Sequence, residues 1–292
     1  MSRSKEAARS WSLGCAIALS LATSASAQDL LARGRYLMNS VVACGNCHTP
    51  RGSDGQLVAG RELAGGQDII EEGLFVARGS NLTPDPETGI GRWSDAEIAR
   101  AIREGVRPDG RVLGPPMPFA FYRDIADDDI AAIIAYLRQL PPVRNAVTRS
   151  EYRIPLPPGW GPPVGKIAAT PRERGARYGA YLAGALGHCM DCHTPMLAGG
   201  RRDPANPGAG GQPFAGPWGV SVARNLTPDA SGLAGWSDDD IARAIRDGVS
   251  RDGSRLKPPM AFDFYRRIDE SDMAALIAFL RGLPAKPLGG QK

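Results

Sequence analysis

The sequence predicts an all-α protein built from two tandem copies of one unit, with short helices and long loops. Three observations support this. One set of motifs recurs at a spacing of about 144 residues. Apolar residues within each copy follow helical spacing, and no convincing alternating strand is present. Gly (36) and Pro (25) are frequent among the 292 residues, which indicates many turns between the helices.

The internal repeat divides the chain. The two copies share five motifs, which begin in pairs at Cys44 and Cys189, Asn81 and Asn225, Trp93 and Trp236, Pro115 and Pro258, and Asp129 and Asp272. We therefore expect a first unit over residues 28–141 (unit 1), a Pro-rich linker over 142–171, and a second unit over 172–292 (unit 2). Proline fixes φ and removes a donor, so the linker is expected to be extended and stiff.

Helix signals are clearest at two places in each unit. Apolar residues near the end of unit 1 recur at helical intervals from Ile130 to Leu140, and unit 2 repeats them. A capping box, Ser94 with Glu97, predicts the start of the middle helix of unit 1. Gly105 and Gly248 are expected to end the two middle helices.

The first 27 residues have the pattern of a secretory signal. Three basic residues come first: Arg3, Lys5 and Arg9. An apolar run over 11–22 follows, and Ala25-Ser26-Ala27 supplies small residues for cleavage. A lipoprotein signal would use Cys15, but almost no apolar run precedes it. We expect export to the periplasm with cleavage near Ala27, and no transmembrane segment.

The remaining four cysteines form two Cys-x-x-Cys-His motifs, the attachment sequence of a c-type haem. Its thiols bind the two vinyl groups of the porphyrin, and the His binds iron from one side. The sequence therefore predicts two haem c groups, held covalently by Cys44, Cys47, Cys189 and Cys192. Their proximal axial ligands are His48 and His193.

Two other chemistries fit the same cysteines. In an oxidising compartment they form two disulfides, and as a Cys₄ set they bind zinc. Both alternatives leave the histidine that follows each motif unexplained, and neither accounts for the motifs being in register within a repeat.

The ligands on the other side of each iron can be predicted by counting the histidines and methionines of the chain. The chain has three histidines, and the spare one, His188, is aligned with Ala43, so we interpret it as a surface or packing residue. Only Met117 and Met260 match each other between the copies, each after a Pro-Pro pair. We predict that both bind haem iron, which raises the reduction potential. The alternative is that both fill gaps in the core.

Other repeated side chains have open roles. Four aromatic residues recur between the copies: Trp93, Trp236, Tyr122 and Tyr265. We expect them either to contact the haem or to pack in the core. Arg78 and Arg224 either pair with haem propionates or face solvent. The formal net charge is +4, and no basic stripe with interleaved aromatic residues is present, which argues against nucleic-acid binding.

With these motifs, the sequence resembles the class I cytochrome c superfamily, and more closely the cytochrome c subunits of periplasmic alcohol, aldehyde and gluconate dehydrogenases. The resemblance covers nearly all of residues 28–292 except the linker. It implies two tandem class I cytochrome c domains, each folded around a covalent haem. Such subunits usually carry three haem domains and often a membrane-binding C-terminal segment. This sequence has two motifs and a polar Gly-Gly-Gln-Lys end, so we expect a soluble diheme relative.

The leading hypothesis is electron transfer through two His/Met haems, from a periplasmic dehydrogenase to a cytochrome or terminal oxidase. The alternative is a diheme redox enzyme, of the peroxidase or thiosulfate dehydrogenase type, with one open haem site. The symmetry of the two Pro-Pro-Met units favours a carrier, or the electron-transfer subunit of a dehydrogenase, over an independent catalyst. The copies diverge most from Gly199 to Pro217, a loop suited to a docking surface or a substrate lid.

Overall fold

The computed structural model describes residues 27–173 and 175–290. The predicted signal over 1–27 lies outside this part of the chain except for Ala27. Unit 1 contains, in order, α1 (27–39), α2 (Gly45–His48), β1 (Asp68–Glu71), β2 (Phe75–Arg78), α3 (Asp95–Glu104), α4 (Phe119–Tyr122) and α5 (Asp127–Arg138). The linker contains β3 (Glu151–Tyr152).

Unit 2 repeats the helices of unit 1. In order it contains α6 (Ala176–Tyr181), a π-helical turn (Leu182–Leu186), α7 (Cys189–His193), β4 (Pro213–Gly216), β5 (Gly219–Val222), α8 (Asp238–Asp247), α9 (Phe262–Tyr265), α10 (Glu270–Arg281) and a 3₁₀ turn (Leu288–Gly290).

The prediction of an all-α fold is wrong. Helix accounts for 33% of the structure and strand for 10%. Within the described residues the strands form two small antiparallel sheets, one of β1, β2 and β3 and one of β4 and β5. Each sheet lies between the haem-attachment motif and the Asn-Leu-Thr-Pro-Asp loop of its unit, apart from β3, which comes from the linker.

The strands escaped prediction because they are short and mostly exposed. β1 and β4 each have four residues and no buried face, so neither produces the alternation that identifies a half-buried strand. The turns explain why hairpins form. Gly73 (φ 76°) lies in the β1–β2 loop, and Gly219 (φ 83°) pairs with Gly216 across a two-residue turn. Glycine takes these positive φ angles without steric cost.

The core of each unit depends on a close crossing of its first and last helices. A Cβ atom on Gly34 of α1 would lie 1.9 Å from the carbonyl oxygen of Ala132 in α5. Gly179 of α6 meets Ala275 of α10 in the same way, also at 1.9 Å. Any larger residue would force the helices apart. Buried apolar residues of both units, including Leu37, line these crossings in one continuous cluster.

The predicted ends of the middle helices are confirmed. Ser94 and Glu97 form a reciprocal capping box at the start of α3, and Gly105 ends it in the left-handed conformation at φ 65°. In α8 Ser237 opens the helix with the same reciprocal box, and Gly248 ends it at φ 63°.

The linker packs along unit 1. The Trp160 ring stacks on Phe119 with centroids 5.5 Å apart, and its Nε1 donates to the carbonyl of Leu113 at 2.7 Å. Further along, the backbone N–H of Val164 donates to Glu104 at 2.9 Å. With β3 added to the β1–β2 sheet, these contacts make the linker part of the surface of unit 1.

The two units meet along a polar contact that we call the helix seam, formed by Arg33, Tyr36, Asp129, Tyr178, Tyr181 and Asp272. Its contacts obey the symmetry of the repeat. The Tyr36 hydroxyl donates to Asp272 at 2.8 Å, and the equivalent Tyr181 donates to Asp129 at 2.9 Å. Each hydroxyl also accepts a backbone N–H, from Asp269 and Ala126 respectively.

The two aspartates of the helix seam differ in their charged partners. Arg33 forms two hydrogen bonds to Asp129, at 2.7 and 3.0 Å, with their side chains only 9% and 4% exposed. Tyr178 occupies the position equivalent to Arg33, so Asp272 has no matching cation there. Burial raises the pKa of Asp272, although the hydrogen bond from Tyr36 opposes that rise.

These environments predict opposite responses to removal of a carboxylate. Asp129→Asn breaks a buried ion pair and is expected to lower the free energy of unfolding by about 3 kcal/mol at neutral pH. A raised pKa means that the contribution of Asp272 is present in acid and is lost as pH rises through the folded-state pKa. Asp272→Asn mimics the neutral form of the carboxyl at every pH. The stability of this variant relative to wild type should therefore improve as the pH rises above about 4, the ordinary pKa of an Asp carboxyl.

Denaturant unfolding of the haem-loaded protein checks both variants. The control is Asp239→Asn on exposed α8, which is expected to change stability by less than about 0.5 kcal/mol. Equal losses for Asp129→Asn and Asp272→Asn at every pH would contradict the charge asymmetry of the helix seam.

Candidate haem-binding sites

Each attachment motif forms a short helix that gathers its three reactive side chains. Cys44 precedes α2 and has helical backbone angles, so Cys44, Cys47 and His48 stand at positions i, i+3 and i+4, which share one helix face. The residue before each motif has a left-handed backbone, Ala43 at φ 50° and His188 at φ 40°. This conformation is uncommon for residues other than glycine. The chain therefore turns sharply into both attachment helices.

The four cysteine thiols are free. Burial raises their pKa to about 12 for Cys44, about 11 for Cys47, about 11 for Cys189 and about 12 for Cys192. They are therefore neutral at physiological pH and lack the thiolate character of reactive surface cysteines.

Each motif histidine is oriented by a backbone carbonyl. Nδ1 of His48 lies 2.8 Å from the carbonyl oxygen of Ser80, and Nδ1 of His193 lies 2.7 Å from that of Arg224. Both rings are buried, and burial lowers the pKa of both, so they are neutral. A neutral ring that donates from Nδ1 leaves Nε2 unprotonated, as an axial iron ligand requires.

The Asn-Leu-Thr-Pro-Asp motif holds these carbonyls in place. In unit 1 the side-chain oxygen of Asn81 accepts hydrogen bonds from the backbone N–H of Thr83 at 3.0 Å and from its hydroxyl at 2.7 Å. Its amide nitrogen donates to the carbonyl of Val143 at 2.8 Å. Asn225 makes the same contacts to Thr227 and donates to the carbonyl of Lys286 at 2.7 Å.

The two matched methionines lie in equivalent loops. Met117 and Met260 each follow a cis Pro-Pro bond and precede α4 and α9 by two residues. Both are half-buried and pack against the apolar core, as do Cys44 and Cys189. Their ligation of iron remains a prediction.

The repeated tyrosines lie beside the cysteines. Tyr122 and Tyr265 are buried, and burial raises the pKa of both hydroxyls well above the ordinary value. The thiols of Cys44 and Cys47 add to the rise at Tyr122. His188 packs edge-on against Tyr122, with ring centroids 5.6 Å apart, which agrees with its interpretation as a packing residue.

Among the described residues, four side-chain nitrogens are buried without a hydrogen-bond partner: Arg61 Nε, Arg103 Nε, Arg107 Nε and Trp218 Nε1. Donors of this kind suit buried carboxylates such as the propionates of a haem. Arg107 also stacks over Trp93, 4.8 Å from the ring centroid. Arg78 is already paired, with Asp68 at 3.3 Å and Glu151 at 3.1 Å. In residues 27–173 and 175–290 no group of three or more His, Cys, Asp or Glu side chains is arranged to hold a metal ion.

Sequence reasoning identified the motif residues but missed what orients them. The groups that orient the rings are the backbone carbonyls of Ser80 and Arg224, and the side chains of these residues do not indicate that role. The only signal was their position just before the repeated Asn81 and Asn225.

Each unit contains a pair of cysteines, a histidine whose Nδ1 is bound to a backbone carbonyl, and a methionine that packs against the core. Together these groups define a haem protein of the cytochrome type. The model of the cytochrome c family matches residues 31–141 and 176–284, so the chain belongs to the cytochrome c family. Membership makes haem c its cofactor and electron transfer its class of function.

Three relatives carry functional names. The chain is 33% identical over 273 residues to a nicotinate dehydrogenase subunit of Pseudomonas putida, covering 88% of this chain and 22% of that protein. It is 31% identical over 281 residues to the fructose dehydrogenase cytochrome subunit of Gluconobacter japonicus, covering 89% and 54%. It is 32% identical over 258 residues to a diheme c-type cytochrome of Cereibacter sphaeroides, covering 83% and 82%.

These similarities confirm the resemblance to cytochrome c subunits of dehydrogenases. The chain spans about a fifth of the first relative and about half of the second. Among the helices that the structure describes, none is both long and apolar enough to cross a membrane.

The loop contacts generate a prediction. Asn81→Ala leaves the carbonyl of Val143 and the N–H of Thr83 without their partner and is expected to lower the free energy of unfolding by about 2 kcal/mol. Because the carbonyl of Ser80 is then held less firmly, His48 should release iron at a higher pH than in wild type. Denaturant unfolding and an absorbance titration with acid measure the two effects.

Gln139→Ala provides the control, since it also truncates an amide side chain, and this one is exposed. A variant that loses stability but keeps the wild-type acid titration would show that Asn81 supports the fold without orienting His48.

Proposed function

We propose that the protein transfers electrons through two haem c groups, one in unit 1 (28–141) and one in unit 2 (172–292). The observation that carries this proposal is the recurrence, in both units, of a buried motif histidine whose Nδ1 is bound to a backbone carbonyl. This arrangement leaves one ring nitrogen of each histidine available to iron.

Each residue type has a separate task. Cys44 and Cys47 hold one haem covalently, and Cys189 and Cys192 hold the other. His48 and His193 bind iron from one side, and Met117 and Met260 from the other. When bound, the haem supplies a one-electron Fe(III)/Fe(II) couple, and thioether ligation favours a high potential. The apolar cluster around each site keeps water from the iron.

The proposal extends to location and partners. The signal pattern of residues 1–27 supports export to the periplasm. The names of the relatives support a dehydrogenase as electron donor, which the proposed export would place in the periplasm. A cytochrome or terminal oxidase is the acceptor that fits such a route. Because the chain covers only part of those relatives, their substrates are not transferred to it.

The second candidate function is a diheme redox enzyme with one open iron site, of the peroxidase or thiosulfate dehydrogenase type. The divergent loop over 199–217 is the observation that favours it. That loop is tied to the attachment helix, because Arg202 pairs with Asp191 of α7 at 2.9 Å and also donates to Gln212 at 3.1 Å. A loop anchored in this way is less suited to act as a mobile lid.

Carbon monoxide distinguishes the two functions. If methionine closes both sites, the dithionite-reduced protein should show no prompt spectral change with carbon monoxide. Met117→Ala and Met260→Ala should each open one site, so that half of the haem binds the gas at once. Absorption spectra before and after addition measure this.

Met196→Ala is the matched control, because Met196 is 43% exposed and lies outside the Pro-Pro-Met loops. Prompt binding by half of the haem in the wild type would contradict ligation by one methionine and would support the enzyme.

A further inference from the structure

The segments at the start of the two attachment helices each contact the other unit. We call this contact the attachment junction and define it by Gly45, Asn46, Tyr122, His188 and Phe264. In one half, a Cβ on Gly45 would lie 2.7 Å from the Phe264 ring of unit 2. The side-chain amide of Asn46 donates to the carbonyl of Pro259 at 3.2 Å. The helix α2 therefore packs directly against the loop that carries Met260.

The other half reverses the units. The His188 ring, next to Cys189 of unit 2, meets Tyr122 of unit 1 at 5.6 Å and an interplanar angle of 78°. A Cβ on Gly187 would lie 3.2 Å from Val41 of unit 1. The start of α7 is therefore packed between α4 and the chain that enters α2.

The segments that carry the haem-attachment motifs lie against the other unit. Asn46 of unit 1 contacts the loop that carries Met260, and His188 of unit 2 contacts Tyr122 of α4.

The attachment junction departs from repeat symmetry at one position. Ala43 is the equivalent of His188, and both have a left-handed backbone. The aromatic contact between Tyr122 of α4 and His188 therefore has no counterpart at Ala43. The sequence by itself offers no function for His188.

We propose that the attachment junction is the route by which the two units exchange electrons, with Tyr122 and His188 as its positioning residues. The proposal rests on the proposed function. In the exchange one iron goes from Fe(II) to Fe(III) while the other goes from Fe(III) to Fe(II). One electron moves, no proton moves, and no bond forms or breaks.

Physical features of the contact suit this role. Tyr122 and Tyr265 are buried, so water is largely excluded from the space between the motifs. Close-packed side chains resist displacement, which keeps the separation constant. His188 directly precedes Cys189, so its contact with Tyr122 lies beside the point where the haem of unit 2 would be attached.

The test uses the haem-loaded protein at half reduction and records the haem methyl resonances by NMR. Fast exchange within one molecule gives one averaged set of signals for each haem, whereas slow exchange gives separate sets for the oxidised and reduced forms. We expect averaged signals in the wild type. His188→Ala reproduces the residue found at position 43 and should slow exchange by about tenfold or more, since rates fall steeply when reacting groups move by about 1 Å.

His188→Phe is the conservative variant, because it keeps a ring against Tyr122, and it should restore exchange to near the wild-type rate. Tyr122→Leu should slow exchange like His188→Ala. Slow exchange in the wild type, or unchanged exchange in both His188→Ala and Tyr122→Leu, would overturn the proposal. A separate measurement of haem content distinguishes the two proposals. Fewer than two redox-active haems per chain would contradict the proposed function, whereas two haems with slow exchange would contradict only the role of the attachment junction.

Discussion

Two close helix crossings determine how the rest of the molecule is arranged. At Gly34 and Gly179 a Cβ would lie 1.9 Å from a carbonyl oxygen of the opposing helix, so the backbones of α1 and α5, and of α6 and α10, touch directly. This contact sets the direction of α1 and α6. Each of these helices then leads, through a sharp left-handed turn, into the attachment helix of its unit. The helix seam includes Arg33 and Tyr36, on either side of Gly34, and Tyr178 and Tyr181, on either side of Gly179.

The same terminal helices also support the histidines. The chain leaving α5 presents the carbonyl of Val143 to Asn81, and the chain after α10 presents that of Lys286 to Asn225. Each asparagine shapes the loop whose preceding carbonyl orients the motif histidine. Helix packing, loop conformation and imidazole orientation are therefore one continuous set of contacts in each unit. In each unit this set runs from the terminal helix to the motif histidine.

The two units also differ where they meet. Arg33 is replaced by Tyr178 in the helix seam, and Ala43 by His188 at the attachment junction. The cores of the two copies have little freedom to change, because packing there is dense. The residues along the contact are freer to diverge, and the two differences give unit 1 the Arg33–Asp129 ion pair and give His188 its contact with Tyr122.

The sequence by itself determined the features that depend on neighbouring residues: the repeat, the attachment motifs, the capping box at Ser94 and the helix end at Gly105. Helical spacing and cap chemistry act over a few residues, so they can be identified without a fold. Only the tertiary structure decided the two small sheets, the carbonyl partners of His48 and His193, and the contacts between the units. The strands are too short for a periodic signal, and a backbone carbonyl has no side chain to mark it. The contacts between the units join residues far apart in the chain, such as Tyr36 and Asp272, and exist only after both units have folded and packed together.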